Sequence, residues 1–481
     1  MEVIFFETTN ATPHLETALE LAKIRSISGD NVIFCFLGQA LDFSEFVFRP
    51  RFFFPQKCLP ERKGARLLRG RQFRFLSPLN EIMRNDLVLP QFSDLESLRT
   101  YRYKNYNAGV SALSSLISYT GHSRPCIQKN CQLLQKIILS GISTYEYCLE
   151  VIEQEKPDLI YLFNGRFANN RAVLDAAIES NVDFRIHERG ADKTRYIAGS
   201  FAPHNFEKIR ELMADAWINR HESAVEIARE FFLQCRSGEG QAWTSFLRYQ
   251  QSGYINIKNH MSKRLIAYFS SSDDEFAAVG DLVKWDRWPD QLSAVRELIA
   301  VIRRQPALEL VIRVHPHLAQ KNPDDLKEWL ELDLPQNAKV LGPLDPTDTY
   351  KLIDEADVVV TAGSTVGIEA VFWGTPSICL GPSLYSQLNA VHLPRDDGEL
   401  SDMLLRQDLT VVPENALPYG YYMATFGESF SYYRPETLFR GRFMGVDLQR
   451  SGVCGVVRRI LSFTKRLMQP VRKRIKRYIG A

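Results

Sequence analysis

Two segments of this chain carry the residue types that hold phosphate groups. Leu310–Val314 is an apolar run closed by His315, Pro316 and His317, and Val358–Thr361 is a β-branched run that breaks at Gly363 and enters a helix opening with Ser364 and Thr365. Each reads as a buried strand that stops at polar groups. In an open parallel sheet both would lie at the carboxyl ends of strands, where such folds bind ligands. A histidine, two hydroxyls and the free N–H groups of a helix start suit a phosphate far better than they suit a core. The chemistry on offer is stabilisation of a departing phosphate by donors aligned beforehand.

Those residues need a scaffold of alternating strands and helices, and the chain supplies one twice. In the first half, Val3–Phe6 reads as a strand, Pro13–Ser26 as a helix with Leu15, Ala18, Leu19, Leu21 and Ala22 on its apolar face, and Val32–Leu37 as a strand. Residues 43–103 have poor periodicity, and 108–154 is mostly helical. Asp158–Phe163 is a strand ending at Asn164, Gly165 and Arg166. Asn170–Ser180 is a helix, and Val182–Ile186 is a strand running into His187, Glu188, Arg189 and Gly190. In the second half, Arg264–Phe269 is a strand that enters the polar loop Ser270, Ser271, Ser272, Asp273, Asp274, Glu275. Strands near 310, 339, 357 and 377 then alternate with helices at 291–304, 323–330, 347–355 and 366–373. The alternation predicts an α/β chain with parallel, doubly wound sheets. It divides into a Rossmann-like domain at 1–255, a second at 256–415, a segment at 416–448 expected to cross back to the first domain, and a tail at 449–481.

The 481 residues exceed what one hydrophobic core serves, and 45% hydrophobic with 24% charged residues is the composition of an ordinary globular protein. The net charge of +2 hides an asymmetry, because ten basic residues and no acidic one follow Gln449, leaving −8 on the rest. Between Val456 and Ile479, apolar residues such as Ile460, Leu461, Leu467, Val471 and Ile475 recur at helical spacing among those cations, with Pro470 as a kink. A basic amphipathic helix reads as a membrane-surface element, with about 1 kcal/mol per basic residue near an anionic leaflet. A merely solvated or nucleic-acid-binding tail is the competing reading; no nucleic-acid partner is expected. The eight cysteines show no CxxC or Cys/His spacing, against a disulfide framework or zinc site. The amino terminus has no signal-peptide pattern, and no run reaches the roughly 18 apolar residues of a membrane span. The expected place is the cytoplasm, peripheral on the inner face of the cytoplasmic membrane.

The run from Ser364 to Pro376 resembles the donor-binding domain of glycosyltransferases of the two-Rossmann (GT-B) fold, where a similar Glu-Ala, Gly-x-Pro run lies beside the nucleotide ribose. Arg313-Val314-His315-Pro316 followed by Ser364-Thr365 resembles the His-Pro and Ser-Ser/Thr motif pair of bacterial sialyltransferases, capsule Kdo transferases and related capsular polysaccharide biosynthesis proteins. The resemblance covers residues 264–382, with a fainter similarity at Phe163–Arg166 and His187–Gly190. It implies two facing Rossmann-like domains and transfer of a sugar from a nucleotide-activated donor to a glycan or lipid-linked glycan of capsule or lipopolysaccharide. A CMP-linked acidic sugar is favoured slightly over UDP- or GDP-sugars. It implies no metal and no cofactor beyond the nucleotide sugar, and the lack of a clear Asp-x-Asp beside a strand agrees.

For such a reaction His315, Ser364, Thr365 and the N–H groups after Gly363 are the candidate phosphate donors, joined on the donor side by Ser270, Ser271, Ser272, Arg313 and Pro316. A protonated His315 would also serve as general acid. Glu369 can take the ribose hydroxyls. Glu188 is the first choice of general base for the acceptor, with Asn164, Arg166 and Arg189 around it and Asp273, Asp274 and Glu7 as competitors. Blander roles compete: Glu369 as an ion-pair partner, Asn164 and Arg166 as strand-end caps, Glu188 as a partner of Arg185 or Arg189, and Ser270–Glu275 as a helix start. A CDP-glycerol-type polymer phosphotransferase, a UDP-sugar 2-epimerase and a non-catalytic polysaccharide-assembly protein are the alternative functions.

Overall fold

The computed structural model describes residues 1–47, 58–78, 82–84, 86–239, 247–257, 263–280, 283, 285–321 and 323–450. The basic helix expected within 449–481 lies almost entirely outside the described residues.

The apolar runs read from the sequence become strands buried on both faces, as parallel strands covered by helices must be. The first sheet and its helices use β1 (Glu2–Glu7), α1 (His14–Ile27), β2 (Asn31–Phe36), α2 (Pro60–Leu67), β3 (Phe73–Leu76), α3 (Leu95–Arg99), α4 (Ala108–Thr120), α5 (Cys131–Glu155), β4 (Leu159–Phe163), α6 (Ala168–Glu179), β5 (Asp183–Arg189) and β6 (Arg195–Gly199). Then come α7 (Phe206–Ile218) and α8 (Ala224–Ser237). The second sheet is built by β7 (Arg264–Phe269), α9 (Asp273–Val279), α10 (Gln291–Arg303), β8 (Leu308–Arg313), α11 (Pro323–Leu330), β9 (Ala338–Leu341), α12 (Thr349–Glu355), β10 (Val358–Thr361), α13 (Val366–Phe372), β11 (Ser377–Cys379) and α14 (Asp397–Leu405). The described chain ends with α15 (Leu417–Thr425), β12 (Glu428–Ser429), β13 (Tyr433–Thr437) and β14 (Arg440–Phe443).

The first sheet has the order β12-β6-β5-β4-β1-β2-β3, and the second β11-β10-β7-β8-β9. Strands β1 to β5 are mutually parallel, as are β7 to β11. The α/β class with two Rossmann-like sheets is thus the architecture the sequence predicts. The period of two along each strand splits the core into layers: Ile4 and Phe6 join one apolar cluster while Val3 and Phe5 join another. Ile266 and Tyr268 are likewise separated from Leu265, Ala267 and Phe269.

Two features differ from the expectation. Strand β5 runs on through His187 and Glu188 to Arg189 and turns at Gly190 into the antiparallel β6, so the polar cluster sits on a strand rather than after one. Helices α7 and α8 lie before residue 255 yet pack on the second unit: Phe232 stacks on Phe372 at 4.2 Å and the Arg210 guanidinium donates to the Ser383 carbonyl. The chain returns after α15, where β12 pairs antiparallel with β6 and the Glu20 carboxylate accepts the backbone N–H groups of Ser431, Tyr432 and Tyr433 at 2.6–3.0 Å.

Contacts tie the two units together. His122 Nδ1 lies 2.7 Å from an Asp325 carboxylate oxygen, whose other oxygen accepts the Ser123 N–H, and Arg124 pairs with Asp290 and Glu328. Helix α9 belongs to the second sheet's first crossover, yet its Ala277 and Ala278 join the apolar core of the first unit beside α4.

Candidate functional site

In each sheet the strand order reverses once, between β1 and β4 and between β7 and β10. The crevice outside the carboxyl ends of the strands at such a point is where open α/β sheets take ligands. Ser270–Ser272 follow β7, His315 follows β8, and Gly363–Thr365 follow β10, so the structure brings these predicted residues to one edge.

The edge is held by side-chain clips. The Ser270 hydroxyl accepts the His315 backbone N–H at 2.8 Å, and the Ser270 N–H donates to the Arg313 carbonyl, locking the ends of β7 and β8. Gln291 brackets Ser271: its Oε1 accepts the Ser271 N–H at 2.6 Å and the Tyr268 hydroxyl at 3.1 Å, while its Nε2 donates to the Ser271 carbonyl. The buried Ser271 hydroxyl has no hydrogen-bond partner among the described residues. The Ser272 hydroxyl donates to Asp274, whose other oxygen meets Lys321 Nζ at 2.6 Å.

Pro316 opens a short 3-10 turn, Pro316–Gln320, and thereby places the His317 N–H against His315 Nδ1 at 3.2 Å. An accepting Nδ1 leaves the ring proton on Nε2. The His317 contact occupies Nδ1, which leaves Nε2 as the ring nitrogen turned to a ligand. Gly363 sits at φ +102°, in the left-handed region open to a residue without Cβ. Past it, the Tyr385 hydroxyl bridges Thr361 Oγ1 and the Ser364 carbonyl at 3.2 and 2.5 Å, a contact that requires Gly367, where a Cβ would lie 2.6 Å from Tyr385 Oη.

Arg313 and Glu369 are placed differently from these. Arg313 is 3% exposed and donates to the Gly342 and Asp345 carbonyls, so it shapes the loop after β9. Glu369 is 8% exposed and accepts the Tyr350 hydroxyl at 2.6 Å and that of Thr365; burial pushes its carboxyl up, and these bonds pull it back. It ties α13 to α12.

The first sheet's edge gathers a second group. Asn164, at φ +58° after β4, donates from Nδ2 to Glu188 Oε2 at 2.7 Å. The other Glu188 oxygen accepts the Arg189 N–H at 3.0 Å and lies 3.5 Å from His14 Nδ1. Burial holds His14 well below the usual imidazole range, helped by Arg189 and His187. Burial, with Arg166 adding and Glu188 opposing, brings His204 down to about 4. The Glu188 carboxylate is thus flanked by neutral imidazoles. Glu7, a competitor for the base, is fully buried against His187 at 2.6 Å, out of an acceptor's reach. Asp274 is bound by Ser272 and Lys321, and the Asp273 side chain lies outside the described residues.

Arg166 stands between the two edges. It donates to Ser114 Oγ at 2.9 Å, covers the Phe167 ring, and reaches the Ala278 carbonyl of α9 at 3.3 Å. Helix α9 starts at the Ser272–Asp274 clip, so one element joins the loop beside His315 to the end of β4. Arg189 points instead to Phe439, its guanidinium 4.9 Å from the ring centre. Sequence reasoning missed His14, His204, Gln291, Lys321 and Tyr350. Only His14 carried a local signal, a histidine beside a proline at a helix start.

Solved structures similar to this chain include the beta Kdo 2,4 transferase KpsC of Thermosulfurimonas dismutans, at 13% identity over 57% of this chain and 85% of that one, with a TM-score of 0.39. Another is the UDP-GlcNAc 2-epimerase of Neisseria meningitidis bound to UDP-GlcNAc, at 12% identity over 88% of this chain and 97% of that one, with a TM-score of 0.31. No curated protein matches. Among the described residues, no helix is long and apolar enough to cross a membrane. Residues 287–389, which include Arg313, His315, the Gly363–Thr365 turn and Glu369, match the family described as capsule polysaccharide biosynthesis protein, the family whose motif pair the sequence resembles.

Proposed function

We propose that the chain is a glycosyltransferase that moves a sugar from a nucleotide-activated donor to a glycan or lipid-linked glycan of a bacterial surface polysaccharide. The observation that carries the reading is the pairing of a donor-rich edge at His315, Ser271 and Ser364 with a carboxylate edge at Glu188, joined through α9 and Arg166. Glycosyl transfer asks for these two things. The departing nucleoside phosphate gains negative charge, which His315 Nε2–H and the Ser271 and Ser364 hydroxyls meet without reorganising. The acceptor hydroxyl loses a proton, which Glu188 accepts. Asn164 holds that carboxylate in place.

The motif pair around His315 and Ser364 favours a CMP-linked acidic sugar as donor. The ten cations after Gln449 support work at an anionic membrane surface, where a lipid-linked acceptor is found. The test is a panel of CMP-, UDP- and GDP-sugars with CDP-glycerol as a control, each scored for nucleotide-induced thermal stabilisation and then for transfer. A ligand at 100 times its dissociation constant adds about 2.7 kcal/mol of stability. Stabilisation by a nucleotide sugar with transfer supports the reading. CDP-glycerol as the sole ligand, or epimerisation of a nucleotide sugar without any acceptor, overturns it.

A further inference from the structure

Helix α2 packs on the first unit by a face made of Pro60, Glu61, Gly64 and Ala65, all buried. The approach is close, since a Cβ on Gly64 would lie 2.2 Å from Leu19 Cδ1 of α1. Its outer face and the turn that follows carry Arg62, Lys63, Arg66, Arg69 and Arg71, five cations with no acid between residues 62 and 71. Arg66, Arg69 and Arg71 are exposed, and the last two form no ion pair among the described residues.

These cations run along the flank of the first sheet from one edge to the other. The first turn of α2 is fixed to the carboxyl edge, where Asn10, after β1, donates to Glu61 at 3.1 Å. The turn after α2 is fixed to the amino edge, where Gln72 Nε2 donates to the Gly29 carbonyl at 3.1 Å.

The tail begins on the same flank. Lys63 Nζ donates to the Leu448 and Arg450 carbonyls, both at 2.9 Å, and Gln449 Nε2 donates to the Asn10 carbonyl at 2.7 Å. The stretch with ten cations therefore leaves the body against α2. Against a net charge of +2, the ten cations of the tail and the five of residues 62–71 leave −13 on all other residues. A charge separation of that kind orients a protein at a charged plane, because an anionic surface attracts one side and repels the rest. The apolar residues at helical spacing among the tail cations suit a bilayer rather than a nucleic acid.

We propose that the α2 flank is a second membrane contact, lying against the same anionic lipid surface as the tail and fixing how the first unit sits on it. The proposal rests on the membrane part of the functional reading and adds an orientation to it. With α2 laid on the bilayer from edge to edge, the carboxyl edge that bears Glu188 opens along the surface, where a lipid-linked acceptor lies, and not away from it.

The test is sedimentation of the full-length protein with vesicles of equal parts phosphatidylcholine and phosphatidylglycerol, and with phosphatidylcholine alone. Each basic residue at an anionic leaflet is worth about a fivefold change in partitioning. Arg69→Gln with Arg71→Gln should therefore weaken binding to the anionic vesicles by about 25-fold, and Arg69→Glu with Arg71→Glu should weaken it further. The milder pair keeps the test decisive if the charge reversal does not fold. Arg304→Glu with Lys327→Glu, at exposed positions of the second unit, changes the net charge as much as the reversal does and should leave binding nearly unchanged. Weakening confined to the α2 variants supports the contact. Equal weakening by both reversed pairs, or wild-type binding in the α2 variants, overturns it. Binding of a short RNA duplex that the α2 variants lose, without binding of anionic vesicles, overturns it in favour of a nucleic acid. Vesicle binding that the α2 variants lose, without transfer from any nucleotide sugar, leaves the contact standing and sinks the transferase reading; transfer with vesicle binding indifferent to α2 does the reverse.

Discussion

The side-chain amide of Asn164 reaches from the end of β4 to the Glu188 carboxylate on β5, with Nδ2 2.7 Å from Oε2. A left-handed backbone at Asn164, φ +58°, turns the amide toward its neighbour strand, a conformation that asparagine tolerates better than most residues. One oxygen of Glu188 is thereby fixed, and the other is shared between the Arg189 N–H and His14. The proposed base is held from three sides.

Glu188→Gln should leave nucleotide-induced stabilisation intact and abolish transfer, because the amide keeps the shape but cannot take a proton. Robust transfer by this variant would move the base elsewhere. Asn164→Ala should lower kcat more than it raises the acceptor KM, since it frees the carboxylate without removing it.

His315→Ala should cut turnover by about 100- to 1,000-fold, the usual effect of losing one prealigned donor at a developing charge. Its melting temperature should stay close to wild type. Turnover near wild type would take His315 out of the reaction.

His204 should make the fold acid-sensitive. Its folded value of about 4 lies below the free imidazole value near 6.5. Between those pH values the unfolded chain binds the extra proton and the folded one does not, so stability falls as pH drops from 6.5 toward 4. The loss is at most about 3.5 kcal/mol, because a tenfold change in proton affinity between the two states is worth about 1.4 kcal/mol. Urea unfolding at pH 7 and pH 4.5 should show a smaller difference for His204→Gln than for wild type. An equal difference would mean that His204 is not held neutral.

Deleting residues 451–481 should spare transfer to a soluble acceptor analogue while reducing binding to anionic liposomes and transfer to a lipid-linked acceptor. Binding by the full-length chain should fade in salt, because the Debye length shrinks from about 10 Å at 0.1 M to about 3 Å at 1 M. Full-length protein that ignores anionic liposomes at low salt would end the membrane proposal.

The alternation of strands and helices was legible because each parallel strand is an apolar run with a polar stop, and the stops at Ser270, His315 and Gly363 mark the carboxyl edge of the second sheet. Direction was not legible. Arg313 and Glu369 have the chemistry of ligand binders, but at 3% and 8% exposure they serve the frame around the site. The partners of Glu188 were hidden for another reason. His14 and His204 come from opposite ends of the first unit, and only the strand order β5-β4-β1 with the antiparallel β6 brings them together. Strands β12 to β14 escaped notice because strands of two to five residues carry little periodicity of their own, whereas α7 and α8, 13 and 14 residues long, have an amphipathic pattern that was there to be read.

The Glu20 carboxylate has a consequence for how the protein comes off the ribosome. Its three amide partners, Ser431, Tyr432 and Tyr433, stand more than 400 positions further along the chain, and β12, which completes the first sheet, lies beside them. Among the described residues, the second sheet takes no strand that is synthesised after Cys379. The half of the molecule translated first is therefore the half finished last. A nascent chain exposes an incomplete sheet edge and an uncapped Glu20 throughout elongation, the kind of surface on which a chaperone acts. A chain ending shortly before residue 428 would lack β12, the edge strand of the amino-terminal sheet, and the amides that cap Glu20, while keeping every described strand of the carboxyl-terminal sheet.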